Sequence, residues 1–273
     1  MTTIRGARAR ARMEVTAAIK DEARRQLAAE GAAKLSLRAV ARELGMVSSA
    51  LYRYFPSRDD LLTALIVDAY DAVGAAAESA LTTAPGAPES GAPAPGPAVA
   101  PAASGPSAAS AAPAPAALHS ARWIALCRAV RAWALAHPHE YALIYGSPVP
   151  GYSAPSDTIG PAARVGGALI AIARDAHRTG GLALPPLAEE LRPEAHRLTA
   201  LLAPDLPPAV VVALTAAWSQ LFGLISFELF GQFNKVVEER DAFFTQAVTR
   251  LSYEVGLGAH PSADPLSRGA ARR

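Results

Sequence analysis

Seven side chains between Ser36 and Arg58 offer hydrogen-bonding chemistry at helical spacing: Ser36, Arg38, Ser48, Ser49, Tyr52, Tyr54 and Arg58. Arginine, tyrosine and serine can all donate to phosphate oxygens, and arginine can also donate two bonds to the acceptor edge of guanine. No nucleophile, base and acid stand together as covalent catalysis requires. The six histidines (119, 137, 139, 177, 196 and 260) show no metal-ligand spacing beyond the pair His137-Pro-His139, which reads as a cap and turn. Cys127, the single cysteine, lies among apolar residues and reads as core, and one cysteine cannot close an internal disulfide. No strand pattern occurs, so no Gly-rich loop can follow a strand to cradle a nucleotide. The expected chemistry is recognition rather than catalysis, with no metal and no cofactor.

The elements that would position these side chains follow from periodicity. Leu37, Val40, Ala41 and Leu44 stand at i, i+3, i+4 and i+7 and share one face of a short helix. Ser36 is a good N-cap for it, and Gly45 comes where a helix commonly ends with positive φ. A second short helix turns Leu51 and Phe55 inward, leaves Ser48, Ser49, Tyr52 and Arg53 outward, and closes at Pro56. This is the helix-turn-helix design for the DNA major groove, predicted here over 36–55, although packed helix pairs without that role are common. Charge agrees with a polyanion contact at one end. Residues 1–60 hold 12 Lys/Arg and 7 Asp/Glu, against 14 and 17 in the remainder.

Within this stretch Leu51, Tyr52, Tyr54, Phe55, Arg58, Leu61 and Leu62 resemble the DNA-binding domain of the TetR family, with Arg58 where that family usually has lysine. The resemblance covers roughly residues 12–73. It implies an all-α protein: an N-terminal three-helix DNA-binding domain, then a helical ligand-binding and dimerisation domain. It also implies that Tyr52, Tyr54 and Arg58 meet phosphates, while Arg38, Ser48 and Ser49 lie near base edges with Ser36 beside them.

Around that centre the chain divides into a basic arm (1–12), the DNA-binding domain (13–73), an Ala/Pro-rich linker (84–117), a helical body (118–256) and a tail (257–273). The arm carries four arginines and no acid, and reads either as a solvated tail or as a segment laid along DNA. No apolar run follows it, so no secretory signal is expected. A first helix is predicted over 11–30 with the stripe Val15, Ile19, Ala23 and Leu27. A longer one from Arg58 to about Leu81 carries Leu61, Leu62, Leu65, Ala69 and Val73. The linker holds nine prolines and a single charge, Glu89, too little to bury against its ordering entropy.

In the body, helices are predicted around 118–136, 139–145, 158–179, 189–202, 207–227 and 239–255. The 207–227 stretch is uncharged over 21 residues and long enough to cross a bilayer. Ser219, Gln220 and Glu228 interrupt or end it, and no basic or aromatic belt marks its ends. A helix buried between two subunits is the stronger reading, with no membrane span. Trp218 to Gly223 and the segment 137–152 also resemble the body of a TetR group named for a Trp-His-Gly signature, with Phe222 where histidine is usual.

Together these features describe a cytoplasmic, homodimeric regulator of transcription, not an enzyme, that binds double-stranded DNA. The resemblance implies a repressor released from a near-palindromic operator by a small, largely apolar effector. Trp123, Cys127, Tyr141, Tyr145, Trp218 and Phe222 are the residues expected at that effector. An activator or a ligand-independent regulator is an open alternative, and a helical protein-interaction module is the alternative from another class.

Overall fold

The computed structural model describes residues 2–83 and 115–258. Most of the expected linker and all but two residues of the expected tail lie outside them. Among the described residues the chain is helical without strands: α1 (Thr2–Glu30), α2 (Leu37–Glu43), α3 (Ser48–Leu51), α4 (Arg58–Thr83), α5 (Pro115–Ala136), α6 (Pro138–Tyr145), α7 (Ile159–Arg178), α8 (Arg192–Leu202), α9 (Pro208–Leu229) and α10 (Arg240–Val255). The all-α expectation holds.

Helix α1 departs most from expectation. It starts nine residues earlier, so the basic arm is helix rather than extended chain. Alanine and arginine are both good helix formers, and apart from Gly6 nothing in GARARARM stops the helix from propagating back from its packed stripe. Its other end is set as the sequence suggests, by Gly31 at φ 79°. Ile19, Ala23 and Leu27 are buried, with Leu35, Leu37, Val40, Leu51, Phe55, Leu61 and Leu65, in one core, and Val15 packs at its edge. Each such aliphatic side chain contributes about 1.5–3 kcal/mol by leaving water. Ser57 caps α4 by accepting from the Asp60 amide at 3.0 Å. Asp59 and Asp60 then sit favourably at the positive end of the helix dipole.

Contacts divide the chain into two compact units. One contains the residues up to Glu78 with Cys127–Ala168 and Trp218–Phe244; the other contains the described residues of Ser79–Leu126, Leu169–Ala217 and those from Thr245 on. The helix-turn-helix therefore shares a unit with α6 and the loop after it. Arg24 of α1 reaches both Asp68 of α4 (2.7 Å) and Glu140 of α6 (3.5 Å). Arg164 of α7 bonds Asp71 and Glu78 of α4. Gly74 permits that approach, because a Cβ there would stand 2.7 Å from the Cβ of Arg164. In the other unit, Trp123 donates to the Val248 carbonyl at 3.1 Å, Arg122 bonds Asp175 at 2.8 Å, and Ser120 pairs with Ser252 at 2.8 Å.

Helix α9 is long and apolar enough to cross a membrane by length and composition. Val210, Leu214, Ala217, Leu221 and Ile225 are nevertheless buried within the chain, and Glu228 is turned inward onto Arg131. What α9 leaves outside is a partial face, not a whole cylinder: Ala216, Ser219, Gln220 and Phe227 are exposed along it, Phe227 by 52%.

Candidate nucleic-acid interface

The head's core fixes two short helices and leaves their polar side chains to solvent. Ser36 caps α2 by accepting from the Ala39 amide at 3.4 Å, as its position suggested. Gly45 then turns the chain at φ 63°. Helix α3 is shorter than predicted. After Leu51 the bonding tightens, with the Tyr54 amide donating to the Leu51 carbonyl at 2.8 Å. Pro56 accounts for this, since the residue before proline is pushed out of helical backbone. Arg38, Ser48, Ser49 and Tyr52 are all exposed.

Two of the expected phosphate-contacting residues are held differently. Tyr54 is half-buried against the head core, with the Arg12 guanidinium 5.3 Å from its ring centroid. Arg58 donates from Nε to the Leu35 carbonyl (3.2 Å) and from Nη2 to the carbonyls of Ala32 (2.8 Å) and Ala33 (3.4 Å). That geometry makes Arg58 a clamp on the turn between α1 and α2, not a side chain reaching outward to a phosphate. Arg12, which was placed in the arm, donates instead to the Arg53 carbonyl at 3.5 Å. Its position one α-helical turn beyond Arg8 was the signal available in the sequence, once α1 is continued backwards.

The six residues expected at an effector are not gathered in one site. Trp123 is fully buried and its N–H is spent on Val248. Cys127 is fully buried, and burial pushes its thiol well above the usual range. Tyr141, Tyr145, Trp218 and Phe222 do meet. Tyr145 stacks on Phe222 with centroids 4.0 Å apart, Trp218 meets Phe222 edge-on at 5.6 Å, and Tyr141 lies 5.1 Å from Tyr145. The Tyr141 hydroxyl donates to the Phe222 carbonyl at 3.1 Å and pairs with Ser226 at 2.8 Å. Burial pushes its pKa up to about 12 and that of Tyr145 further. Tyr141 is thus core with its polar tip already satisfied, while Trp218 keeps 39% of its surface exposed.

A cleft of about 610 Å³ opens beside that cluster, lined by none of the six. Tyr70 joins the two: it lines the cleft and meets Tyr145 edge-on at 5.9 Å. The two arginines that could have favoured an anionic ligand are occupied, Arg164 by Asp71 and Glu78 and Arg174 by Asp205.

Comparison with known proteins agrees with this architecture. Residues 19–65 match the family model "Bacterial regulatory proteins, tetR family", and residues 123–251 match "Tetracyclin repressor-like, C-terminal domain". The chain is 38% identical over 262 residues to the HTH-type transcriptional regulators Rv1816 of Mycobacterium tuberculosis and Mb1846 of Mycobacterium bovis, covering 90% of this chain and 94% of each relative. The solved structure of SCO4313 superposes with a TM-score of 0.64 at 33% identity, covering 89% of this chain and 97% of that one. A Rhodococcus sp. RHA1 protein of unknown function shares the fold at 21% identity, with a TM-score of 0.61 and coverage of 88% and 95%. A helix-turn-helix presented on an all-helical scaffold, matched along nearly the whole chain, makes this protein a member of the TetR family of DNA-binding transcriptional regulators.

Proposed function

We propose that the chain is a cytoplasmic, homodimeric repressor that binds a near-palindromic operator and is released by a small, largely apolar effector. The observation that carries the DNA half is the joint exposure of Arg38, Ser48, Ser49 and Tyr52 on helices whose opposite faces are buried. In this reading Arg38 reads a base edge, with guanine as the best fit to its fork, while Ser48, Ser49 and Tyr52 meet base edges and phosphate at close quarters. Ser36 and Tyr54 hold the helices in place. Two such heads, spaced by a symmetric dimer, match two half-sites. An effector acts by favouring a dimer whose head spacing no longer fits, which is a population shift rather than a new contact with DNA.

The arginines separate specificity from support. Arg38→Ala is expected to cost roughly 1–3 kcal/mol and to relax preference at one operator position. Arg58→Ala removes charge-assisted bonds to three carbonyls, so it should lower thermal stability by about 2 kcal/mol and leave the salt slope of binding unchanged. Titrating both variants against operator and scrambled duplexes over a salt series checks this. A loss of about one unit of salt slope in Arg58→Ala would return that residue to the phosphate backbone.

A further inference from the structure

Helix α1 stands clear of the core over its early turns. Residues 7–14 are exposed on every side of the helix. Burial begins only with Val15, which packs at the edge of the head core, and Ile19 within it. Arg8, Arg10 and Arg12 all fall in that exposed stretch, which precedes residues 19–65, the part of the head that matches the family. Arg12 ties the stretch to the reading helix. Its Nη2 donates to the Arg53 carbonyl at 3.5 Å, and its guanidinium carbon lies 5.3 Å from the Tyr54 ring centroid. Both partners come directly after Tyr52, at the end of α3.

The charges of this stretch are arranged badly for a helix on its own. No acid stands in the first turn of α1, where the helix dipole favours one, and the first acid in the chain is Glu14. Arg8 and Arg12, four residues apart, lie within about 40° of each other around the axis and repel. A row of anions beside them relieves that repulsion. The opposite face differs. Arg10 lies about 160° from both arginines, and its Nε donates back to the Gly6 carbonyl at 3.4 Å. Glu14 is likewise about 160° from Arg12. One side of the extension therefore carries two cations and no acid, and Arg12 turns that side toward the end of α3. The extension continues a packed helix, so it forms without a nucleation cost of its own.

We propose that Arg8 and Arg12 form a stripe that binds DNA phosphates bordering the groove entered by α3, and that the helical form of the extension presents them. Position favours duplex DNA over other polyanions. Arg12 joins the stripe to the same short helix on which Ser48, Ser49 and Tyr52 are exposed. The stripe contributes salt-dependent affinity and no sequence preference. The inference rests on the reading of the chain as an operator-binding protein and adds to it a contact outside the helix-turn-helix.

The test uses the full-length protein and a mixed-sequence duplex of about 40 base pairs, long enough for two half-sites one turn apart. Binding is followed by fluorescence anisotropy from about 50 to 200 mM salt. Arg8→Ala should lower the salt slope by about one unit for each head, and Arg10→Ala should leave it unchanged. Ala11→Pro keeps every charge but breaks the helix between the arginines. It should lower the slope as much as Arg8→Ala and lose helical circular dichroism. All three positions are exposed, so melting temperatures should stay at the wild-type value. A wild-type slope in Arg8→Ala would overturn the stripe. Equal losses in Arg8→Ala and Arg10→Ala with a wild-type slope in Ala11→Pro would replace the helix by an extended arm and overturn its helical presentation. If Ser49→Glu lost duplex binding while Arg8→Ala kept its full slope, the operator reading would stand and the stripe alone would fall. Failure of wild type to bind duplex at any salt would remove both. Arg8-dependent binding to phosphatidylglycerol vesicles with an unchanged duplex slope would assign the stripe to a membrane surface and overturn the inference.

Discussion

Replacing Arg131 by alanine is expected to destabilise the protein by about 3–5 kcal/mol, the cost of stranding a buried charge. Arg131 of α5 forms a two-pronged pair with Glu228 of α9, Nη2 to Oε1 at 2.6 Å and Nε to Oε2 at 2.7 Å, and reaches Asp241 of α10 at 2.5 Å. The two central side chains are only 12% and 7% exposed, so water screens the pair weakly. The Phe244 ring lies 5.0 Å from the guanidinium carbon and shields the group further. Bonding to Glu228, more than the contact with Asp241, pushes the arginine pKa higher still, so Arg131 stays charged near neutral pH. Three helices meet at one guanidinium. Its loss leaves the Glu228 carboxylate facing apolar neighbours without a partner. Thermal unfolding should drop by roughly 6–20 °C, at about 2–4 °C per kcal/mol for a protein of this size. Arg131→Met combined with Glu228→Met should recover most of that loss, because no charge is then stranded. A single-variant cost under about 1 kcal/mol would mean that the pair behaves as an exposed one.

The second large effect concerns assembly. Phe227→Glu is expected to give a folded monomer and to weaken operator binding by at least about 10²-fold, the low end of what linking two sites contributes. Phe227 is 52% exposed and touches Phe233 edge-on at 5.7 Å; Phe233 in turn meets Phe243 at 5.5 Å. Phe243 is itself 43% exposed, so Phe227, Phe233 and Phe243 form one connected run of rings at the surface rather than scattered single residues. A charge at its centre would be buried without a partner in a dimer, yet costs the monomer little. Leu221 is not a useful probe of the same question, since it is fully buried within its own subunit and a charge there would test folding. Sedimentation of wild type and Phe227→Glu at micromolar concentration reads the outcome. A wild-type monomer under those conditions would remove the dimer from the proposal.

Much of this fold was legible because its signals are local and periodic. The stripe of Ile19, Ala23 and Leu27, the Ser36 cap and the Gly45 turn each depend on neighbours within about two helical turns. What escaped the sequence depends on distant partners. Arg58 looked like a phosphate ligand because its acceptors are main-chain carbonyls 23–26 residues away, which no side-chain pattern marks. The arm was read as a solvated tail or as a segment laid along DNA, and its helical form was missed because its charge was weighed above its helix propensity. The aromatic residues of α6 and α9 could not be sorted into core and lining by type alone, since a buried tyrosine needs a polar partner in either case. The cleft was missed for a related reason. Tyr70 lies on a helix read only for its apolar stripe, and Tyr152 in a loop that carries no periodicity at all.

The most direct test of the central claim is a sequenced pull-down of genomic fragments by purified wild-type protein beside Ser49→Glu. Ser49 is exposed on α3, so the substitution should leave the fold intact while setting a carboxylate against the groove. Wild type is expected to enrich a small set of fragments sharing one near-palindromic sequence with half-sites about one helical turn apart, and Ser49→Glu to enrich none of them. Enrichment of the same fragments by both proteins, or no shared sequence with wild type, would contradict the claim that this helix-turn-helix reads an operator.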